Sequence, residues 1–178
     1  MIKTLEETVE AVKEFRKKYP DGKVVMTSGG YDPLHAGHTS GIVESRNIKE
    51  LKGVKNVLMI VSVNGDDFLI LKKGKSFLPH QERLEIIDSI KGVDIAVRQD
   101  PTDKTDMTQC ETLGAIKPDY FTKGGDRTGI ENIPEWDTCI KNNIQIITNV
   151  GKDKIISSSE ILQDWVDFAN SQKTKSKT

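Results

Sequence analysis

Residues 27–38, Thr-Ser-Gly-Gly-Tyr-Asp-Pro-Leu-His-Ala-Gly-His, run from a β-branched strand signal through two adjacent glycines to a helix start with two histidines three residues apart. Such a turn presents free backbone N–H groups, and imidazoles at a helix N-terminus add donors beside them. The chemistry it suits is the binding of an anion, above all a phosphate. Three further segments share this character. Lys72, Lys73 and Lys75 cluster around Gly74, Lys123-Gly124-Gly125-Asp126 follows an apolar run, and Ser157, Ser158 and Ser159 stand at a helix start. Hydroxyls there cap the helix and can also donate to phosphate oxygens. Two common phosphate loops are absent: no Gly-x-Gly-x-x-Gly occurs, and Gly74-Lys75-Ser76 lacks the earlier glycine of a Walker A loop, where Leu69 sits instead. Zinc ligation by His35 and His38 would need more ligands than His80 and two distant cysteines, so no metal site is expected.

These segments need a frame, and the apolar runs supply one. Val24–Met26, Val57–Val63, Val93–Val97, Tyr120–Thr122 and Ile144–Ile147 have strand length and strand residues. Between them, helical patterns run from Gly37 to about Glu50, Pro79 to about Ile90, Met107 to Ala115, Pro134 to about Lys141 and Ser157 to about Phe168. Strands alternating with helices predict an α/β fold, a Rossmann-like parallel sheet of about five strands with helices on both faces. The loops after each strand then share one edge, where open sheets of this type bind ligands. An extra N-terminal helix is expected over Leu5, Val9, Val12 and Phe15, with Thr4 and Glu7 as a capping box. The organisation expected is an N-terminal amphipathic helix and turn at 1–22, a catalytic domain at 23–170 and a disordered, lysine-rich tail at 171–178.

Composition excludes several classes. With 26 Lys+Arg against 27 Asp+Glu in 178 residues, the formal net charge is −1, a poor basis for coating nucleic acid or an anionic membrane. Two cysteines make no disulfide framework, and no apolar run approaches a membrane span, so a soluble protein of a reducing, cytoplasmic compartment is expected.

The four segments, in their order and spacing, resemble the cytidylyltransferase-like nucleotidyltransferase superfamily. Its opening Gly-x-(Phe/Tyr)-Asp-x-x-His-x-Gly-His is matched by Gly29, Tyr31, Asp32, His35, Gly37 and His38. Leu71–Lys75 and Pro79–Ile87 are similar to its lysine loop and Glu-Arg helix, Lys123–Asp126 to its Lys-Gly-Gly-Asp segment, and Ile156–Ile161 to its Ile-Ser-Thr-Thr-x-Ile stretch. The branch most similar is the bacterial heptose 1-phosphate adenylyltransferase type, with glycerol 3-phosphate and phosphoethanolamine cytidylyltransferases as near relatives. Lys152-Asp153-Lys154-Ile155 stands where the cytidylyltransferases carry an arginine, which leans toward the adenylyl branch.

The resemblance implies transfer of a nucleoside monophosphate from ATP or CTP to a small sugar or alcohol phosphate, with release of pyrophosphate. It implies that His35 and His38 contact the α- and β-phosphates. Ser28, Gly29, Gly30, Tyr31, Lys123, Gly124, Asp126 and the three serines would bind the nucleotide, and Lys72 and Lys73 the substrate phosphate. Lys73 is taken as catalytic, with Lys72 as its rival. Arg83 is left open between a surface ion pair with Glu82, Glu85 or Asp88 and a phosphate contact. Mg²⁺ is implied with the nucleotide, and a homodimer as the assembly. A non-catalytic nucleotide sensor is the alternative from another class.

Overall fold

The computed structural model describes residues 1–124, 133–152 and 156–175, with side chains through 172. Its centre is a six-stranded, all-parallel sheet: β1 (Ile2–Lys3), β2 (Lys23–Gly29), β3 (Val57–Val63), β4 (Ile95–Arg98), β5 (Tyr120–Thr122) and β6 (Gln145–Ile147), in the order β1-β4-β3-β2-β5-β6. The strand beyond the five expected is β1, two residues long, which pairs with β4 as Ile2 opposite Ala96 and Lys3 opposite Val97. Two residues have no period to read. Extended structure there comes from the neighbouring strand rather than from local preference.

The helices are α1 (Leu5–Lys18), α2 (Ala36–Ser45), α3 (Asp66–Lys73), α4 (His80–Asp88), α5 (Cys110–Ile116), α6 (Trp136–Lys141) and α7 (Ser158–Lys175), with a one-turn 3-10 helix at Lys49–Leu51. The Thr4–Glu7 capping box forms as read, satisfying two orphan N–H groups at the start of α1. Helix α7 continues through Lys175, over part of the tail expected to be disordered. The lysine cluster, expected as a loop, instead ends α3, where Gly74 at φ 84° supplies the left-handed cap a side chain would oppose.

Side chains alternate strictly along the central strands. Val24 and Met26, Ile60, and Ile95 and Val97 face α1, α5 and α6, where Val12, Leu113, Ile116 and Cys139 close one core. Val25, Met59, Val61, Val63 and Ala96 face α2 and α4, where Ile42, Leu84 and Ile87 close the other. The apolar stripe of α1 therefore lies on its own sheet.

Strands β2 and β3 pair over seven residues, from Lys23 opposite Val57 to Gly29 opposite Val63. From β2 the chain winds outward through β3 and β4 on one side and through β5 and β6 on the other. The crevice between β2 and β5 is thus the point where strand order reverses, and it lies at the carboxyl ends of the strands. The opposite rim carries tight helix-to-strand turns, with Gly53, Gly92, Lys117 and Asn143 all at positive φ. Among the described residues no helix is long and apolar enough to cross a membrane.

Candidate active site

A cleft of about 590 Å³ opens over the β2–β5 crevice. Strand β2 delivers Ser28, Gly29 and Gly30 to its floor, and the start of α2 delivers both histidines. A Cβ on Gly29 would lie 2.9 Å from the Tyr31 ring and one on Gly30 2.8 Å from the tip of Leu69, so either would make a neighbouring side chain shift. His35 is the N-cap of α2, and its Nδ1 accepts the Gly37 N–H at 3.2 Å. In the neutral ring that acceptance puts the proton on Nε2.

The His35 and His38 rings stack, 3.8 Å between centroids at 28°. Tyr31 meets His38 edge-on at 5.2 Å. Held at φ 53°, Tyr31 is itself buried and absent from the cleft lining, so it supports the histidine from behind. Burial first, then the His35 ring and the Lys72 ammonium, push the His38 pKa down from 6.5 to about 4. His38 is a neutral donor at pH 7.

This displacement has a consequence for stability. Between pH 6.5 and 4 the folded form binds fewer protons at His38 than the unfolded chain does, so the stability present above that window is lost as pH falls through it. The loss approaches roughly 3 kcal/mol when both forms are protonated. We expect the urea midpoint of wild type to drop more steeply between pH 6.5 and 4 than that of His38→Gln. Parallel pH curves would refute the assignment.

The two loop lysines have different surroundings. Lys72 lines the cleft. Lys73, chosen from the sequence as catalytic, lies outside that lining and is tied to Asp32, donating to its main-chain oxygen at 2.6 Å and pairing with its carboxylate at 2.8 Å. The buried Asp32 carboxylate also accepts the N–H groups of Phe77 and Leu78, so it clamps the segment between α3 and α4. Of the two, Lys72 is the one that borders the cleft. Lys72→Ala should lower kcat/KM on the order of 10²-fold with unchanged stability. Lys73→Met should instead cost about 1–3 kcal/mol of stability, read as a lowered urea midpoint. The reverse pattern would make Lys73 the lysine that acts in turnover.

Arg83 takes neither role expected of it. Its side chain is fully buried, donating to the main-chain oxygens of Gly30 at 2.9 Å, Asn64 at 2.5 Å and Leu78 at 3.0 Å, and to Asp66 at 2.7 Å. Burial favours the protonated form of Asp66, but hydrogen bonds from Arg83 and the His80 N–H outweigh it and hold the carboxyl below its usual pKa. Arg83 is a positioning residue that fixes the ends of β2 and β3 under the cleft.

Lys123 and Gly124 stand at the end of β5, and Ser157, Ser158 and Ser159 border the cleft at the start of α7. Ser158 anchors that helix by donating to the Pro33 carbonyl at 2.9 Å. Asp126 lies outside the described residues. Eleven of the nucleotide- and phosphate-binding residues expected from sequence thus meet in one cleft: Ser28, Gly29, Gly30, His35, His38, Lys72, Lys123, Gly124 and the three serines. Sequence reasoning missed Gln109 and Glu135, both buried beside them. Each immediately precedes a helix, α5 or α6, and only the Pro134-Glu135 helix-start signal pointed there.

Comparison with known proteins gives the family and the fold. Residues 26–164 match the family model described as cytidylyltransferase-like. The bifunctional protein HldE of Desulfatibacillum aliphaticivorans is 31% identical over 127 residues, covering 70% of this chain and 23% of that protein. HldE of Salmonella arizonae is 33% identical over 127 residues, covering 70% of this chain and 24% of its own length. The chain spans about a quarter of these curated relatives. A crystal structure of the lipopolysaccharide core biosynthesis protein from Thermoplasma volcanium superposes with a TM-score of 0.56 at 24% identity, covering 74% of this chain and 98% of that one, and shares the fold. On the family match across most of its length, the chain belongs to the cytidylyltransferase-like family of nucleotidyltransferases.

Proposed function

We propose that this chain transfers a nucleoside monophosphate from a nucleoside triphosphate to a sugar phosphate with release of pyrophosphate, specifically adenylyl transfer to a heptose 1-phosphate-like acceptor. The observation that carries the reaction is the stacked imidazole pair facing one cleft with Lys72, Lys123 and the serines of α7. The sugar-phosphate branch is supported by the resemblance in sequence and by the HldE relatives.

The acceptor's phosphate has a second pKa near ~6 and is largely a dianion at neutral pH, so no general base is required. It attacks the α-phosphorus, the bond to the bridging oxygen breaks, and pyrophosphate departs carrying that electron pair. What the protein must supply is alignment and compensation for charge gathering on the α-phosphoryl oxygens and the leaving group. His35 and His38 donate neutral N–H bonds there, Lys72 adds positive charge, and the α7 hydroxyls and first-turn N–H groups receive the departing phosphates. Among the described residues no group of three histidine, cysteine or carboxylate side chains could hold a metal. Mg²⁺ would be carried by the triphosphate itself, where it would neutralise phosphate charge.

A crossed screen of ATP and CTP against heptose 1-phosphate, glycerol 3-phosphate and phosphoethanolamine, scored by pyrophosphate, tests this. Release with ATP and the sugar phosphate is expected. Release with CTP and an alcohol phosphate would move the chain to the cytidylyl branch, and tight nucleotide binding with no release would make it a sensor. The homodimer implied by the resemblance belongs to this proposal, and sedimentation velocity of the full chain tests it.

A further inference from the structure

The cleft crosses from one face of the sheet to the other, and the two ends differ in chemistry. At the α2 face stand the imidazoles and the α7 serines. At the α5–α6 face stand Gln109 and Glu135, 2% and 4% exposed, with neither charge nor geometry suited to a polyphosphate.

Each of these two side chains is half used. Gln109 Oε1 accepts from Ser62 at 2.8 Å, whereas Gln109 Nε2 is buried without a hydrogen-bond partner. Glu135 Oε1 accepts the Gln109 N–H at 3.1 Å, whereas Glu135 Oε2 has the Lys123 ammonium at 3.4 Å and no hydrogen bond. Three of the four such orphaned buried atoms among the described residues line this cleft, the third being His38 Nδ1. Leaving a buried polar group unmatched is costly, so an orphan donor beside an orphan acceptor marks a place where a ligand completes the bonding.

We infer that Gln109 and Glu135 form the subsite that reads hydroxyl groups of the sugar acceptor. This rests on the proposed nucleotidyl transfer to a sugar phosphate. A hydroxyl both donates and accepts, so vicinal hydroxyls answer a fixed amide N–H next to a fixed carboxylate oxygen. Direction of attack supports the placement. In-line displacement needs the acceptor opposite the departing pyrophosphate, and pyrophosphate leaves toward the α7 serines at the α2 face. The acceptor therefore arrives from the α5–α6 face, over Gln109 and Glu135. An ethanolamine phosphate has no hydroxyl to offer this pair.

The test is equilibrium binding of heptose 1-phosphate, mannose 1-phosphate and their monodeoxy analogues, alongside ATP and CTP, to wild type, Glu135→Gln and Gln109→Glu. Glu135→Gln keeps an oxygen for the Gln109 N–H, turns the Oε2 position into a donor and removes the ion pair with Lys123. It is expected to weaken sugar-phosphate binding on the order of 10–100-fold while weakening neither nucleotide, because Lys123 loses only a neutralising partner. Removing the hydroxyl that Glu135 contacts should weaken binding to wild type and no longer matter in the variant. If Glu135→Gln misfolds, the wild-type deoxy series and Gln109→Glu decide. Weakened ATP or CTP with undisturbed sugar binding would show that the pair reads the base, and equal binding of all deoxy analogues would remove it from recognition; either overturns the inference. Sugar phosphates that do not bind at all overturn it too. Pyrophosphate release by wild type is scored separately: its absence overturns the proposed reaction, while the binding series still decides the subsite.

Discussion

Replacing His38 with alanine is expected to lower kcat on the order of 10²–10³-fold while the affinity for nucleotide barely moves. Steady-state kinetics together with direct nucleotide titration check this split. The reason lies in how the ring is held. His35 stacks on one side at 3.8 Å, Tyr31 closes its edge at 5.2 Å, and burial with the neighbouring Lys72 keeps it neutral. A donor fixed in advance costs no reorganisation when charge builds on the α-phosphoryl group, and its bond strengthens as that charge grows. Its ground-state contribution is correspondingly small. A neutral replacement that still presents an N–H, His38→Asn, should therefore keep more activity than His38→Lys, although lysine carries the larger charge. If lysine restored turnover better, the ring would be acting as a cation. Full turnover in a folded His38→Ala protein would remove it from the mechanism.

Arg83→Met should destabilise the chain by about 3–5 kcal/mol, a large share of the roughly 5–15 kcal/mol typical of a domain. Methionine fills the volume but leaves the carbonyls of Gly30, Asn64 and Leu78 and the Asp66 carboxylate without their shared donor. Arg83→Lys should recover little, because a single ammonium cannot reach partners spread around a planar fork. The measurement is urea denaturation followed by circular dichroism. An unchanged midpoint for Arg83→Met would mean that the network is dispensable. Activity should fall with stability, since Gly30 is both an Arg83 partner and part of the cleft floor.

Much of this was legible in the chain itself. Alternation along β2 and β3 has period two, and the glycine-histidine segment falls at a strand end where ligands bind in such sheets. What escaped reading depends on partners far away in sequence. Lys72 and Lys73 are identical in type and adjacent, and only Asp32, some forty residues earlier, pulls one of them out of the cleft. Arg83 has three acidic neighbours on its own helix, yet it turns inward to carbonyls from β2 and β3. Helix α3 is eight residues long and ends in lysines and a glycine, a composition shared with loops. Gln109 and Glu135 belong to no motif, and their unmatched atoms exist only once α5, α6 and β5 have been brought together.

One arrangement bears on how such a protein can change. Because all six strands run the same way, the cleft residues crowd one rim, and the other rim carries helix-to-strand turns, among them those at Gly53, Gly92, Lys117 and Asn143. Segments inserted at those turns, or a second enzyme spliced in there, would burden folding but leave turnover untouched. New acceptors, by contrast, would be acquired by remodelling the rim that holds the imidazoles, so the scaffold separates what sustains it from what diversifies it.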